Sequence, residues 1–129
     1  MEAFTLMTTL PAPPKEIYNA WLSSKGHNLM TGSSAEVRAE KGGTFKAWDG
    51  YIWGRTLEME PHHRIVQAWR TSEFPEDSPD SRLEIRLEES AGGTEITLFH
   101  SDIPDGQGEG YKQGWEDFYF TPMRVYFSR

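Results

Sequence analysis

His100 is followed at once by Ser101 and Asp102, the three residue types of a nucleophilic hydrolase. Consecutive side chains cannot form the relay that such chemistry needs, in which the imidazole lies between hydroxyl and carboxylate. His62-His63 offers two metal-ligating imidazoles. Neighbours on a strand point to opposite faces and no carboxylate–histidine spacing accompanies them, so Pro61-His62-His63 reads as a turn. Glu116-Asp117 could do acid–base work only where burial perturbs one carboxyl, and here they fall on the solvent side of an amphipathic helix. Gly106-Gln107-Gly108-Glu109-Gly110 has the glycine density of a phosphate loop without its lysine or its preceding parallel strand. A lid over a cavity mouth, or a helix lead-in, suits it better. Cysteine is absent, which excludes thiol catalysis, disulfides and cysteine-ligated metal. No residue is assigned a catalytic or metal-binding role, and no cofactor is expected.

Binding chemistry is better represented. Gln67 shares a strand face with Ile65 and Trp69, and His100 shares one with Ile96 and Leu98. A polar group on an apolar face is costly unless partnered, so each either orients the polar end of a ligand or is satisfied by a neighbour in the core. Trp48, Trp53 and Trp69 can form a wall against Trp115, Tyr119 and Met123, a set of aromatic anchors and one adaptable thioether that suits a tolerant apolar pocket. Plain core packing accounts for the same residue types. Trp53 also shares its face with Arg55, Leu57 and Met59, a mixture that leaves the buried side of that strand open.

These residues need elements to position them. The spacing of Tyr111, Trp115, Phe118, Tyr119, Pro122 and Tyr126, with Met123 and Phe127, predicts one long amphipathic helix over 110–129, kinked at Pro122. Ahead of it, 3–10 reads as a strand, and Pro14 opens a helix through Ile17, Tyr18, Trp21 and Leu22. A second short helical stretch falls near 24–30. From Glu36 the rhythm has period two, with a hairpin expected at Asp49-Gly50. The alternation is cleanest in Arg82-Leu83-Glu84-Ile85-Arg86-Leu87-Glu88, where the leucines and isoleucine point inward. Short turns throughout imply antiparallel pairing, and the last helix is the one element able to cover the sheet. The expectation is an α+β fold: one domain over 1–129, with a curved antiparallel sheet of about six or seven strands wrapped around a long C-terminal helix.

The formal charge of −7 disfavours nucleic acid and anionic membranes as partners. No basic segment followed by an apolar run opens the chain, so a cytoplasmic protein is expected. A monomer or weak homodimer is expected, through a strand edge or the aromatic helix.

Gly42-Gly43-Thr44-Phe45, Trp48-Asp49-Gly50-Tyr51-Ile52-Trp53-Gly54 and Ile65-Val66-Gln67-Ala68-Trp69-Arg70 stand in order with His100-Ser101-Asp102-Ile103-Pro104. The segment Gly114-Trp115-Glu116-Asp117-Phe118-Tyr119-Phe120-Thr121-Pro122-Met123 follows them. Together these blocks resemble the domain shared by activator of heat-shock-protein-90 ATPase and its stand-alone bacterial relatives, within the START-like helix-grip superfamily (SRPBCC). The resemblance covers nearly the whole chain. It implies a helix-grip fold with a cavity between sheet and helix that accepts a small apolar or aromatic molecule, and the ligand-binding set above is read in that light. It also implies a second candidate partner, a chaperone, since the eukaryotic activator is a two-domain co-chaperone and the likeness is to its C-terminal domain. Some branches of the superfamily turn the cavity into an active site; this chain offers no nucleophile for that, and an enzyme is the last of the three readings.

Overall fold

The computed structural model describes residues Met1–Arg129. Seven strands form one antiparallel sheet: β1 (Glu2–Leu10), β2 (Glu36–Val37), β3 (Thr44–Ala47), β4 (Ile52–Glu60), β5 (Arg64–Thr71), β6 (Ser81–Ser90) and β7 (Gly93–Ile103). Their spatial order is β1-β7-β6-β5-β4-β3-β2, so consecutive strands pair from β2 to β7 and β1 adds to the outer side of β7. Two short helices, α1 (Pro14–Trp21) and α2 (Ser24–Thr31), interrupt the strand order. Pro14 sits in the first turn of α1, where its missing N–H costs nothing, and Ser23 caps α2 by accepting from Gly26 N at 3.0 Å.

One face of the sheet is apolar. Ile65, Trp69, Leu83, Ile85, Leu87, Ile96 and Leu98 point to that side and pack against Ile17, Trp21, Trp115, Phe120 and Met123. The clean alternation of β6 thus has the sense expected from its sequence. The cover is α3 (Gly108–Trp115), a π-helical turn over Glu116–Phe120, and α4 (Thr121–Phe127), joined without a break. This is the α+β helix-grip architecture expected above.

Three local features differ from expectation. The terminal helix is not a uniform α-helix. Thr121 N bonds back to Glu116 O, one residue further than an α-helix reaches, and Pro122 follows directly. A proline ring collides with the carbonyl four residues earlier, and the wider turn makes room for it ahead of the proline. The Asp49-Gly50 hairpin is a four-residue connection rather than a two-residue one. Ala47 pairs with Ile52, and Trp48, Asp49 and Gly50 all have positive φ, at 53°, 58° and 89°. Lastly, β4 carries a bulge at Leu57, because Thr56 faces Gln67 while Glu58 already faces Val66. The extra residue reverses the alternation, so Met59 packs on the core although Trp53 and Arg55 point outward.

Candidate ligand cavity

The space between sheet and helix is filled unevenly. Beside α1, the Ile17, Trp21, Ile65, Ile85, Leu87, Ile96, Leu98, Phe120 and Met123 side chains leave only about 10 Å³. At the other end a cavity of about 420 Å³ remains, lined by Trp48, Tyr51, Ile52, Trp69, Gly110, Tyr111, Gly114, Trp115, Phe118 and Tyr119. None of these residues is charged. Trp48 and Tyr51 come from the left-handed β3–β4 connection, Trp69 from β5, and the rest of the aromatic wall from the helical layer. Phe118, 56% exposed, and Tyr51 stand at the rim.

The rings pack on one another. Trp69 lies 5.8 Å from Trp115 and 5.2 Å from Tyr111, and Trp115 lies 4.7 Å from Tyr119. A polar cluster ties one edge of the cavity together. Tyr111 Oη donates to Gln107 Oε1 at 2.7 Å and meets Thr71 Oγ1 at 2.7 Å. Gln107 Nε2 donates to the Glu73 carbonyl, and Tyr51 Oη donates to the Glu73 carboxylate. Burial, with that carboxylate, pushes the Tyr51 hydroxyl well above the usual phenol range.

Of the eight residues assigned to a ligand by sequence, Trp48, Trp69, Trp115 and Tyr119 line the cavity. The other four do not. Trp53 is on the opposite face of the sheet, 37% exposed, with the Arg70 guanidinium 6.0 Å from its ring, because the bulge at Leu57 separates it from the inward phase of Met59. Met123 fills the solid end of the core. Gln67 and His100 do point inward, but neighbours in the fold take their hydrogen bonds. Gln67 accepts from Trp21 Nε1 at 3.3 Å and donates to Thr56 Oγ1 at 3.2 Å. His100 accepts at Nδ1 from Trp115 Nε1 and meets Ser81 Oγ through Nε2, so both ring nitrogens are committed. Burial pushes its pKa down to about 3.

A second histidine, which sequence reasoning passed over, supports the same wall. His27 is 3% exposed. Its Nδ1 lies 2.9 Å from the Trp21 carbonyl, an acceptor, which makes Nδ1 the protonated nitrogen and leaves Nε2 to accept from Tyr119 Oη at 2.9 Å. Burial lowers its pKa too, although the bond to Trp21 partly opposes the shift. Both imidazoles are therefore neutral supports for cavity rings. They are poor proton-transfer groups, since neither has a free nitrogen facing the cavity.

The family "Activator of Hsp90 ATPase homolog 1-like protein" matches residues 11–128. The chain belongs to this family. Human activator of 90 kDa heat shock protein ATPase homolog 1 is 28% identical over 124 residues, covering 96% of this chain and 36% of its own length. The chain thus spans about a third of the curated relatives it matches. An HSP90 activator from Plasmodium falciparum superposes with a TM-score of 0.87 at 27% identity, over 97% of this chain and 95% of that one. The solution structure of the Aha1 dimer from Colwellia psychrerythraea has the same fold, with a TM-score of 0.79 at 16% identity, over 98% of this chain and 97% of that one.

The cavity in this Hsp90-activator-like domain also uses residues that carried no signal on their own. By pattern alone Tyr51 and Ile52 belong to a strand, Tyr111 and Phe118 to the helix stripe, and Gly110 and Gly114 to loop and helix. Glycines spaced four apart inside an aromatic helix were the available clue. The carboxylate pair is solvent-side as expected: Asp117 is exposed, and Glu116 is bound by Arg124 at 2.9 Å. The glycine-rich stretch is a helix lead-in whose Gly106 and Gly108 N–H groups donate to the Glu2 carboxylate at 2.8 and 2.7 Å. No helix is long and apolar enough to cross a membrane.

Proposed function

We propose that residues 1–129 act as one cytoplasmic binding domain that holds a small apolar or aromatic molecule between sheet and terminal helix. The cavity of about 420 Å³, with aromatic walls and no charged lining residue, is the observation that carries this reading. Cores pack to crystal density, so an apolar space of this size beside a well-filled one calls for an occupant. The histidines support binding over chemistry, since their nitrogens hold Trp115 and Tyr119. Native mass spectrometry of the protein purified from its own host, followed by solvent extraction, tests the proposal. A stoichiometric small molecule supports it; a protein that is empty and binds no apolar probe overturns it.

A second reading, a chaperone-binding module, rests on a different observation. The human relative named above is an activator of the 90 kDa heat shock protein ATPase, and its matched stretch is this domain. The exposed Phe118 and Tyr51 at the rim and Trp53 on the outer face offer aromatic contact area. Adding the chain to the 90 kDa heat shock protein of the same host and following ATP turnover decides it. Stimulation supports a chaperone partner, and unchanged turnover with no co-purification removes it.

A further inference from the structure

Trp48 lines the cavity of about 420 Å³, and it is held there at a cost. Its backbone is left-handed, with φ at 53°. The next two residues of that connection, Asp49 and Gly50, tolerate such a conformation; a bulky indole seldom adopts it. Its Nε1 is buried, and no acceptor in the protein takes the N–H. An unmade hydrogen bond on a buried group is unfavourable, and an indole N–H is fixed in the ring plane. Four other polar groups of the lining residues are spoken for. Trp115 Nε1 donates to His100, Tyr119 Oη to His27, Tyr111 Oη to Gln107 and Tyr51 Oη to Glu73. Burial raises the pKa of the Tyr119 phenol and the nearby Trp48 N–H opposes that rise, yet the two do not form a hydrogen bond. Tyr18 Oη and Ser90 Oγ are also buried without partners, but neither residue lines the cavity and a hydroxyl can rotate.

We infer that Trp48 Nε1 is the donor that recognises a neutral carbonyl oxygen on an otherwise apolar ring molecule, an assignment that rests on the cavity reading above. Phe118 and Tyr119 pack edge-on against the indole, with centroids 5.5 and 6.2 Å away, so its orientation is set before a ligand arrives. A carboxylate is disfavoured, because no Lys or Arg lines the space to balance its charge. A hydrocarbon of the same shape leaves the N–H buried and unpaired, so the site separates a ketone from its parent hydrocarbon.

The test uses α-tetralone and tetralin, which share a ring skeleton and differ by one carbonyl. Their binding to wild type and to Trp48→Phe is measured by equilibrium dialysis, and the indole N–H resonances of isotope-labelled wild type are followed by NMR. Trp48→Phe should weaken α-tetralone roughly tenfold more than it weakens tetralin. In wild type, the Trp48 indole proton should move downfield with α-tetralone and not with tetralin. The NMR measurement needs no variant, so it decides the matter if Trp48→Phe fails to fold. Equal weakening of both compounds, or an indole proton that α-tetralone moves no further than tetralin does, overturns the assignment to Trp48. Either result leaves the cavity reading intact, with the N–H met by water or by Tyr119. Wild type that binds neither compound overturns the cavity reading and the inference with it.

Discussion

The indole N–H of Trp115 ends on Nδ1 of His100, 3.1 Å away. With Nδ1 accepting, Nε2 carries the proton and donates to Ser81 Oγ at 2.9 Å, whose hydroxyl in turn donates to the Trp69 carbonyl at 2.6 Å. One hydrogen-bonded chain so ties the terminal helix to β7, β6 and β5. His100→Ala removes its central link, leaves a buried donor at Trp115 without a partner and opens a void. Stability should fall by about 3–5 kcal/mol in urea denaturation; a loss below about 1 kcal/mol would show that the chain is not what holds Trp115.

Stability should also fall as the solution is made mildly acidic. His27 and His100 have depressed pKa values in the folded state, because burial disfavours the imidazolium. Unfolded, each takes up a proton near pH 6.5, so the unfolded state binds more protons and gains on the folded one below that pH. For His100 the slope approaches roughly 1.4 kcal/mol per pH unit as pH falls below 6.5, and His27 adds to it in the same direction. The range from pH 6.5 to 5 isolates them. Glu84 contributes lower down: burial opposes its ionisation, but Arg64, Arg86 and Arg82 outweigh burial and hold the carboxyl at about 2, so its share is lost only below about pH 4.5. Urea midpoints across this range, for wild type and His27→Gln, check the sign; a flat wild-type profile would contradict neutral buried histidines.

Trp53 and Trp69 are both strand tryptophans with opposite fates. Trp69 is 3% exposed and packs on Phe74, His100, Tyr111 and Trp115. Trp69→Ala should cost about 3–5 kcal/mol and abolish binding of an apolar probe. Trp53→Ala gives up a partly exposed ring and its contact with Arg70, so it should cost no more than about 1 kcal/mol and leave probe affinity unchanged. Equal effects of the two would contradict the assigned faces.

Glu2 reaches across the chain to the start of α3. Its carboxyl pKa is lowered first by the Gly106 N–H and then by the Gly108 N–H. Glu2→Ala leaves those two amides without acceptors and removes a negative charge from a helix N-terminus. Hydrogen exchange at residues 106–111 should quicken while exchange in β5 and β6 stays slow. Unchanged exchange at 106–111 would show that the cap does not hold the helix start.

Period-two patterning was enough to orient β6 and to turn Gln67 and His100 inward, because the buried face of a half-wet strand leaves a mark at every second residue. It could not orient β4. Trp53, Arg55, Leu57 and Met59 share one phase until the bulge at Leu57 reverses it, and a bulge is a pairing event between strands. Nor could it tell that His100 and Gln67 are satisfied internally, since Ser81, Trp115, Thr56 and Trp21 lie 11–46 residues away along the chain. His27 was passed over because α2 is short and mostly polar, and its single buried imidazole gives no periodic signal. Four of the cavity's aromatic residues were legible as a group; its shape was not, since shape depends on where Gly110 and Gly114 leave space.

The pairing of β1 with β7 matches Glu2 to Ile103 and Leu10 to Thr94, and the chain that links them builds the rest of the sheet. On a ribosome, the first strand therefore emerges about a hundred residues before its only partner and must wait unpaired, its Phe4, Leu6 and Leu10 uncovered. Until β7 follows, the nascent strand is open to capture by a neighbouring chain, a vulnerability of synthesis that the stability of the finished molecule does not remove.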